Sequence, residues 1–216
     1  MIVLKASKIS HLTDARYFSA RGASVMGFDL DPGSPDFVKP EQVHAISDWV
    51  DGVRLAGEFG QNSIEEILHL SDSLKLDYIQ LPHNYDREKL MELSGKKIIQ
   101  QVLVEKSTTP EELTHQITDL APLTRAVELD FVTQNINPLA GEGFGIEGLN
   151  RIIDLHHCFI KAPLTPDSMA NLSKLISFPG LTFTGSHEEK VGFKSFEDID
   201  TIIDYLEEQQ WFDPYA

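Results

Sequence analysis

Ile98-Ile99-Gln100-Gln101-Val102-Leu103-Val104 is followed by Thr109-Pro110-Glu111-Glu112, then by Leu113, Ile117 and Leu120, and then by Ala126-Val127-Glu128-Leu129. The first run is short, apolar and rich in β-branched residues, as a buried parallel strand should be. Thr109 reads as a helix N-cap, Pro110 as the first helical residue, and the two acids as a first turn that suits the positive end of a helix. Leu113, Ile117 and Leu120 then share one helical face. The run that follows is again strand-like. Strand, crossover helix and second strand, joined by short loops, make a parallel βαβ unit.

The same alternation extends in both directions. Strand-like runs fall at residues 2–5, 25–28, 53–56, 78–81, 98–104, 126–129, 158–162 and 181–184. Helical stripes lie between them: Ile64, Ile67, Leu68 and Leu74; Ile146, Leu149, Ile152 and Ile153; Met169, Leu172, Leu175 and Ile176; and Phe196, Ile199, Ile202, Ile203 and Leu206. Ser63 with Glu66 forms a capping box, and Thr165-Pro166-Asp167 repeats the Thr-Pro-acid start. Eight such units in 216 residues, with no Pro/Gly/Ser-rich linker, predict an α/β fold in which residues 1–216 form a single (β/α)8 TIM barrel. A doubly wound open sheet is the rival, and it requires a reversal of strand order. The aromatic tail Trp211-Phe212-Asp213-Pro214-Tyr215-Ala216 is expected to pack under the barrel.

The chain carries 18 basic and 34 acidic residues, a formal net charge of −16. That field opposes non-specific binding to nucleic acid or to anionic membranes, and an anionic substrate would need a local basic pocket. One cysteine, Cys158, leaves no intramolecular disulfide and no Cys-rich zinc site. No apolar run approaches the ~18–20 residues of a membrane span, and the first residues do not read as a signal peptide. The expectation is a cytoplasmic protein. No His-x3-His or His-x-Glu spacing suggests a metal, and nothing in the sequence asks for a cofactor.

In such a barrel the working residues sit at the C-terminal ends of the strands and in the loops that follow. Glu128 and Asp130 are two apart and point to one side of their strand. Lys5, Arg54 and Lys161 interrupt other apolar runs. Glu128, Lys5 and Arg54 suit an internal salt-bridge layer, because charges inside a barrel must be paired. Asp130, at the strand end beside a glycine-rich loop, suits a functional carboxylate or a structural one. Gly141-Glu142-Gly143-Phe144-Gly145 allows close backbone approach to a ligand, or is simply a connection; it is not a GxGxxG fingerprint. His83 and His187 fall in active-face loops, whereas His156-His157 lie on the opposite face.

Taken in order, these segments resemble the phosphoribosylanthranilate isomerase family over essentially the whole chain. Lys5-Ala6-Ser7-Lys8-Ile9-Ser10 stands where that family has K-[IV]-C-G-[IL]-[TS]. Gly27-Phe28 with Ser34-Pro35-Asp36 matches G-F-x-F…S-P-R, and Leu76-Asp77-Tyr78-Ile79-Gln80-Leu81 matches L-D-x-[VI]-Q-L. Asp130 with Ala140-Gly141-Glu142-Gly143 matches an acidic strand end and G-G-[TS]-G, and Thr184-Gly185 with Gly192-Phe193-Lys194 echoes S-G-V-E…P-G-x-K-D. The resemblance implies an Amadori rearrangement of N-(5′-phosphoribosyl)anthranilate in tryptophan biosynthesis. It implies Asp130 as the acid and the position of Ser7 as that of the base. The candidate substrate-binding residues are Asp36, Gln80, Gly141, Gly143, Thr184, Gly185 and Ser186 in or beside the matched motifs, with His83 where the family's His-Gly becomes Pro82-His83, and Lys161 near Asp130.

The departures from the motifs fall on the working positions. Ser7 replaces a cysteine thiolate, and an aliphatic hydroxyl needs a separate base to act. Asp36 replaces the arginine that holds the substrate carboxylate, so attraction is expected to become repulsion. Ala162-Pro163 replace paired glycines, and proline has no N–H for a phosphate. Three readings follow: an isomerase of impaired activity, a non-catalytic barrel kept for binding or complex formation, and an enzyme for another small carbonyl or sugar-phosphate substrate that uses Lys161 near Asp130. The expected partner is a small molecule, phosphorylated if the family's substrate is kept, bound by a monomer or homodimer.

Overall fold

In the computed structural model eight parallel strands close into a barrel. They are β1 (Leu4–Ser7), β2 (Val25–Asp29), β3 (Arg54–Glu58), β4 (Tyr78–Leu81), β5 (Ile98–Leu103), β6 (Ala126–Asp130), β7 (Cys158–Lys161) and β8 (Gly180–Thr184). Each pairs with its neighbours in sequence, and β8 returns to β1 with Leu4 beside Leu181 and Ser7 beside Thr184. Closure excludes the open doubly wound sheet. The helices are α1 (Leu12–Ala20), α2 (Pro40–Ser47), α3 (Ile64–Ser73), α4 (Arg87–Glu92), α5 (Pro110–Leu120), α6 (Gly145–Leu155), α7 (Pro166–Met169) and α8 (Glu197–Glu208). After β8 the backbone forms a small antiparallel pair, β9 (Glu188–Lys190) with β10 (Phe193–Lys194). The structure describes residues 1–177, 179–184 and 196–214, together with the backbone of 188–190 and 193–194.

Local chemistry accounts for the helix starts. Thr109 accepts from the Glu112 N–H while the Glu112 carboxylate accepts from the Thr109 N–H, the reciprocal box the sequence predicts. Ser63 and Glu66 do the same for α3, and Thr165 with Ser168 for α7. The stripe beginning at Met169 makes only one α-helical turn before tightening into a 3-10 segment over Ala170–Lys174.

Two apolar groups hold the barrel. A large one lies between strands and helices, with Ala6, Met26, Phe28, Ile79, Leu129 and Ile160 facing Phe18, Val43, Ile67, Leu113, Ile152 and Ile203. The second, Val25, Ala56, Ile99, Ala126 and Phe159, is separate from it. The side-chain period of two puts Gly27, Glu58, Gln101, Glu128 and Lys161 on the same face as those five residues, one step further along each strand. The interior therefore runs from apolar at the strand starts to polar at the strand ends.

That gradient explains where the strands differ from the sequence reading. β1 covers residues 4–7 rather than 2–5, and β3 runs on to Glu58. Polar residues that break an apolar run in the sequence are still strand residues when the barrel interior satisfies them. The described part of the tail, residues 211–214, packs below the barrel as expected: the Ile2 N–H donates to the Trp211 carbonyl at 2.8 Å, and Phe212 is buried. Tyr215 and Ala216 lie outside the described residues. Gly22, just past α1, has φ +74°, and a Cβ there would stand 2.5 Å from the Pro214 Cα and 2.8 Å from the Phe212 ring.

Gly22→Ala should combine left-handed strain with that clash and lower stability by about 1–3 kcal/mol. A urea midpoint unchanged from the parent protein would show that the tail does not pack there in solution.

Candidate functional site

The polar half of the interior is organised by Lys5. Its side chain is fully buried, and its ammonium group lies 2.8 Å from Glu128 Oε2 and 3.4 Å from Glu58 Oε1. Burial alone would lower the lysine pKa, but the Glu128 and Glu58 charges and their hydrogen bonds outweigh it and raise it. Burial would likewise raise the pKa of Glu128. Lys5 first, then Lys161 and the hydrogen bonds from Lys5 and Thr182, hold it below the ordinary carboxylate value. Thr182 donates to Glu128 Oε2 at 2.8 Å and the Gln80 amide donates to Oε1 at 3.1 Å. Of the expected internal layer, Lys5 and Glu128 are present. Arg54 is not in it: it begins β3 at the solvent-facing end, where it is exposed and reaches the Tyr78 hydroxyl at 3.3 Å.

Above this layer a cavity of about 160 Å³ opens at the C-terminal ends of the strands, lined among others by Ser7, Lys8, Asp29, Asp31, Glu58, Gln80 and Lys161. The Ser7 hydroxyl donates to Glu58 Oε1 at 2.5 Å. Asp130 is buried at the rim: Oδ2 accepts from Gln101 at 2.8 Å and faces Lys161 at 3.4 Å, and Oδ1 accepts from the Thr133 N–H. Lys8 has φ +57°, where the resembling motif has glycine, and its ammonium group lies 2.5 Å from Asp36 Oδ2. Asp36 is thus paired rather than standing as the bare repulsive charge the sequence suggests.

The residues singled out from the sequence divide into those that meet and those that do not. Ser7, Gln80 and Lys161 line one cavity, and Asp130 adjoins it through Lys161 and Gln101. Thr184 is level with Ser7 at the end of β8, and its side chain is exposed. His83 is exposed in the turn after β4, and Gly141 and Gly143 are exposed after β6; none of the three lines the cavity. The glycine stretch belongs to a braced connection, in which Glu142 accepts from the Asn137 N–H at 2.7 Å and Asn137 caps the following turn. Gly185 and Ser186 lie outside the described residues, as does His187. Lys8, Asp29 and Glu58 lie at the strand ends where the sequence places working residues, whereas sequence reading passed over Gln101. Counting by two from Ile99 would have reached Gln101.

The loop after β7 presents few donors. Pro163 has no N–H, the Leu164 N–H donates to the Ala162 carbonyl at 2.9 Å, and the Thr165 N–H donates to Ser168 Oγ at 3.0 Å. Asn137 holds the Pro163 carbonyl at 2.9 Å. The first turn of α8 carries Glu197, Asp198 and Asp200, which oppose an anion at that helix end. Cys158, the single cysteine, is buried at the start of β7, and burial pushes its thiol up to about 12. Among the described residues no group of three or more His, Cys, Asp or Glu side chains is placed to hold a metal ion. No helix among them is long and apolar enough to cross a membrane.

A closed eight-stranded barrel with carboxylates, lysines and amides converging at the C-terminal mouth has the architecture in which (β/α)8 barrels carry their functional sites. Residues 4–205 match the family model of N-(5'phosphoribosyl)anthranilate (PRA) isomerase, and the chain belongs to that family. Among solved structures it is similar to the phosphoribosylanthranilate isomerase of Thermus thermophilus, with 22% identity and TM-score 0.74 over 96% of this chain and 100% of that one. The enzyme of Thermotoga maritima gives 19% identity and TM-score 0.77 over the same shares. A phosphoribosylanthranilate isomerase in complex with reduced 1-(o-carboxyphenylamino)-1-deoxyribulose 5-phosphate gives 19% and 0.73, again over 96% and 100%. No curated protein sequence matches the chain.

Lys5→Met should strand Glu128 as an unpaired buried charge and cost about 3–5 kcal/mol in urea unfolding, with Glu128→Leu added to it recovering part of the loss. A loss below about 1 kcal/mol would mean that the pair behaves as a surface bridge. Glu128 lies below its ordinary 4.5 when folded, so its contribution is complete above that value and fades as pH falls through the folded pKa. Lys5 lies above its ordinary 10.5, so its contribution is complete below that value and fades as pH rises through the folded pKa. Between the two the pair's contribution to stability should be flat with pH.

Proposed function

We propose that this barrel is a phosphoribosylanthranilate isomerase of impaired activity. The observation that carries the reading is Ser7. It occupies the position that the family resemblance assigns to the thiolate base, and its hydroxyl donates to Glu58 at 2.5 Å. A hydroxyl at that position has no accessible anion of its own, and the one cysteine of the chain is buried below with its thiol at about 12. Asp130 keeps the position of the acid, beside Lys161 and Gln101, so the mouth offers an Amadori substrate an acid and, in place of a thiolate, a hydroxyl held by the Glu58 carboxylate.

Removing a general base typically costs 10²–10⁴-fold, so turnover of freshly made phosphoribosylanthranilate, followed by its fluorescence loss, should be slow by about that factor. Ser7→Cys alone should recover little, because the Glu58 carboxylate disfavours a thiolate beside it. Combining it with Asp36→Arg and Lys8→Gly removes the competing ammonium group and restores a cation for the substrate carboxylate. That combination should gain about tenfold or more over Ser7→Cys. Wild-type turnover at ~1–10³ s⁻¹ would overturn the reading.

A further inference from the structure

We propose that Glu58 is the proton acceptor that stands in for the missing thiolate, reached through the hydroxyl of Ser7. The inference rests on the isomerase reading above and names the residue behind its residual turnover. It begins with the geometry at one oxygen. Glu58 Oε1 accepts from the Ser7 hydroxyl at 2.5 Å and lies 3.4 Å from the Lys5 ammonium group. A hydroxyl that donates to a carboxylate keeps its own lone pairs for a second partner, and passing its proton to that carboxylate lets it accept another. Ser7 and Glu58 both line the cavity, whereas Cys158 does not.

The other use for this carboxylate is as counter-ion to Lys5, and Glu128 already serves it. Glu128 stands closer to Lys5, at 2.8 Å, and takes its further hydrogen bonds from Thr182 and Gln80. Glu58 is the looser partner of the ammonium group, and it differs from Glu128 in access. Its side chain is 10% exposed, against 0% for Glu128. Glu58 Oε2 accepts no hydrogen bond among the described residues and is not sealed from solvent, so a proton gained by the carboxylate has a way out. The position is fixed by the backbone beneath it, since a Cβ on Gly27 would fall 1.9 Å from Oε1.

The proton step balances on these groups. Opening of the furanose ring with a proton from Asp130 leaves a protonated imine at C1′. The C2′–H bond then breaks, its electron pair forms the C1′=C2′ bond, and the imine pair moves to nitrogen and cancels its charge. The C2′ proton passes to Ser7 Oγ as the Ser7 proton passes to Glu58 Oε1. The enolamine becomes the ketone by losing its hydroxyl proton and gaining one at C1′. Glu58 then holds the equivalent of the proton that Asp130 gave, and exchange with solvent restores both. A carboxylate acting through a neutral hydroxyl reacts more slowly than a thiolate placed at the carbon itself, so the relay fits a slow isomerase.

The test is steady-state turnover of freshly made phosphoribosylanthranilate by the full chain carrying Glu58→Gln, Ser7→Ala or both. Each single variant should lower kcat about tenfold or more with KM within about twofold, and the pair should fall no further than the worse single, because the two act as one unit. Glu58→Ala guards against a folding defect: added formate should restore part of its lost turnover in a saturable way, which only a folded barrel can show. Parent-like kcat in Glu58→Gln or in Ser7→Ala, or no response of Glu58→Ala to formate, would each overturn the relay. Slow parent turnover that Glu58→Gln leaves unchanged overturns the relay alone. Parent turnover at a normal enzyme rate that Glu58→Gln abolishes overturns the impaired reading alone, and no parent turnover at all overturns both.

Discussion

The buried ammonium group of Lys5 is the constraint on which the upper half of the barrel depends. A lysine with no exposure inside a barrel must be met by negative charge at close range, and the nearest carboxylates, Glu128 and Glu58, come from β6 and β3. Those carboxylates have further lone pairs to satisfy. Thr182 from β8 and Gln80 from β4 turn to Glu128, and Ser7 turns to Glu58. One cation thus positions side chains from five strands. Gly27 follows from the same demand, since the Glu58 carboxylate takes the space of its missing side chain.

This arrangement shapes the chemistry above it. Ser7 is held as a donor to Glu58, and the Gln80 amide is held as a donor to Glu128. Lys161 lines the cavity and is paired with Asp130 at the rim. Among the described residues, the three lysines of this layer and its rim are each paired with a carboxylate. The exchange at residues 8 and 36 is the clearest case. Where the motif has glycine and arginine, this chain has lysine and aspartate, so the positive charge persists but is neutralised across the loop. Lys8 adopts a left-handed backbone to do so, a conformation that costs a non-glycine residue about 1–2 kcal/mol.

Much of the fold is legible along the chain because it depends on local chemistry and on period. The Thr109–Glu112 and Ser63–Glu66 boxes, the apolar stripe of α5 and the short buried strands each follow from neighbours in sequence. Eight repeats of one unit then leave closure as the economical way to bury both faces of the sheet. The ends of β1 and β3 are less legible. Ser7 and Glu58 look like loop residues by polarity, and they become strand residues only because partners far away in sequence satisfy them.

By itself the sequence determined the order of strands and helices, the caps, the negative field and the positions of Ser7, Gln80, Asp130 and Lys161 at strand ends. The tertiary structure alone decided which charges meet. Lys5 and Glu128 are 123 residues apart and Lys8 and Asp36 are 28 apart; the apolar runs around Lys5 and Glu128 suggest an internal layer, but no local pattern states that these two meet or that the second pair is neutralised. It also separated Arg54, at the open end of β3, from the internal layer that its place in an apolar run suggests. The physical reason is one of range. Period and capping act over a few residues of chain, whereas pairing energy depends on distance through space and on exclusion of water, and both are set only when the barrel closes.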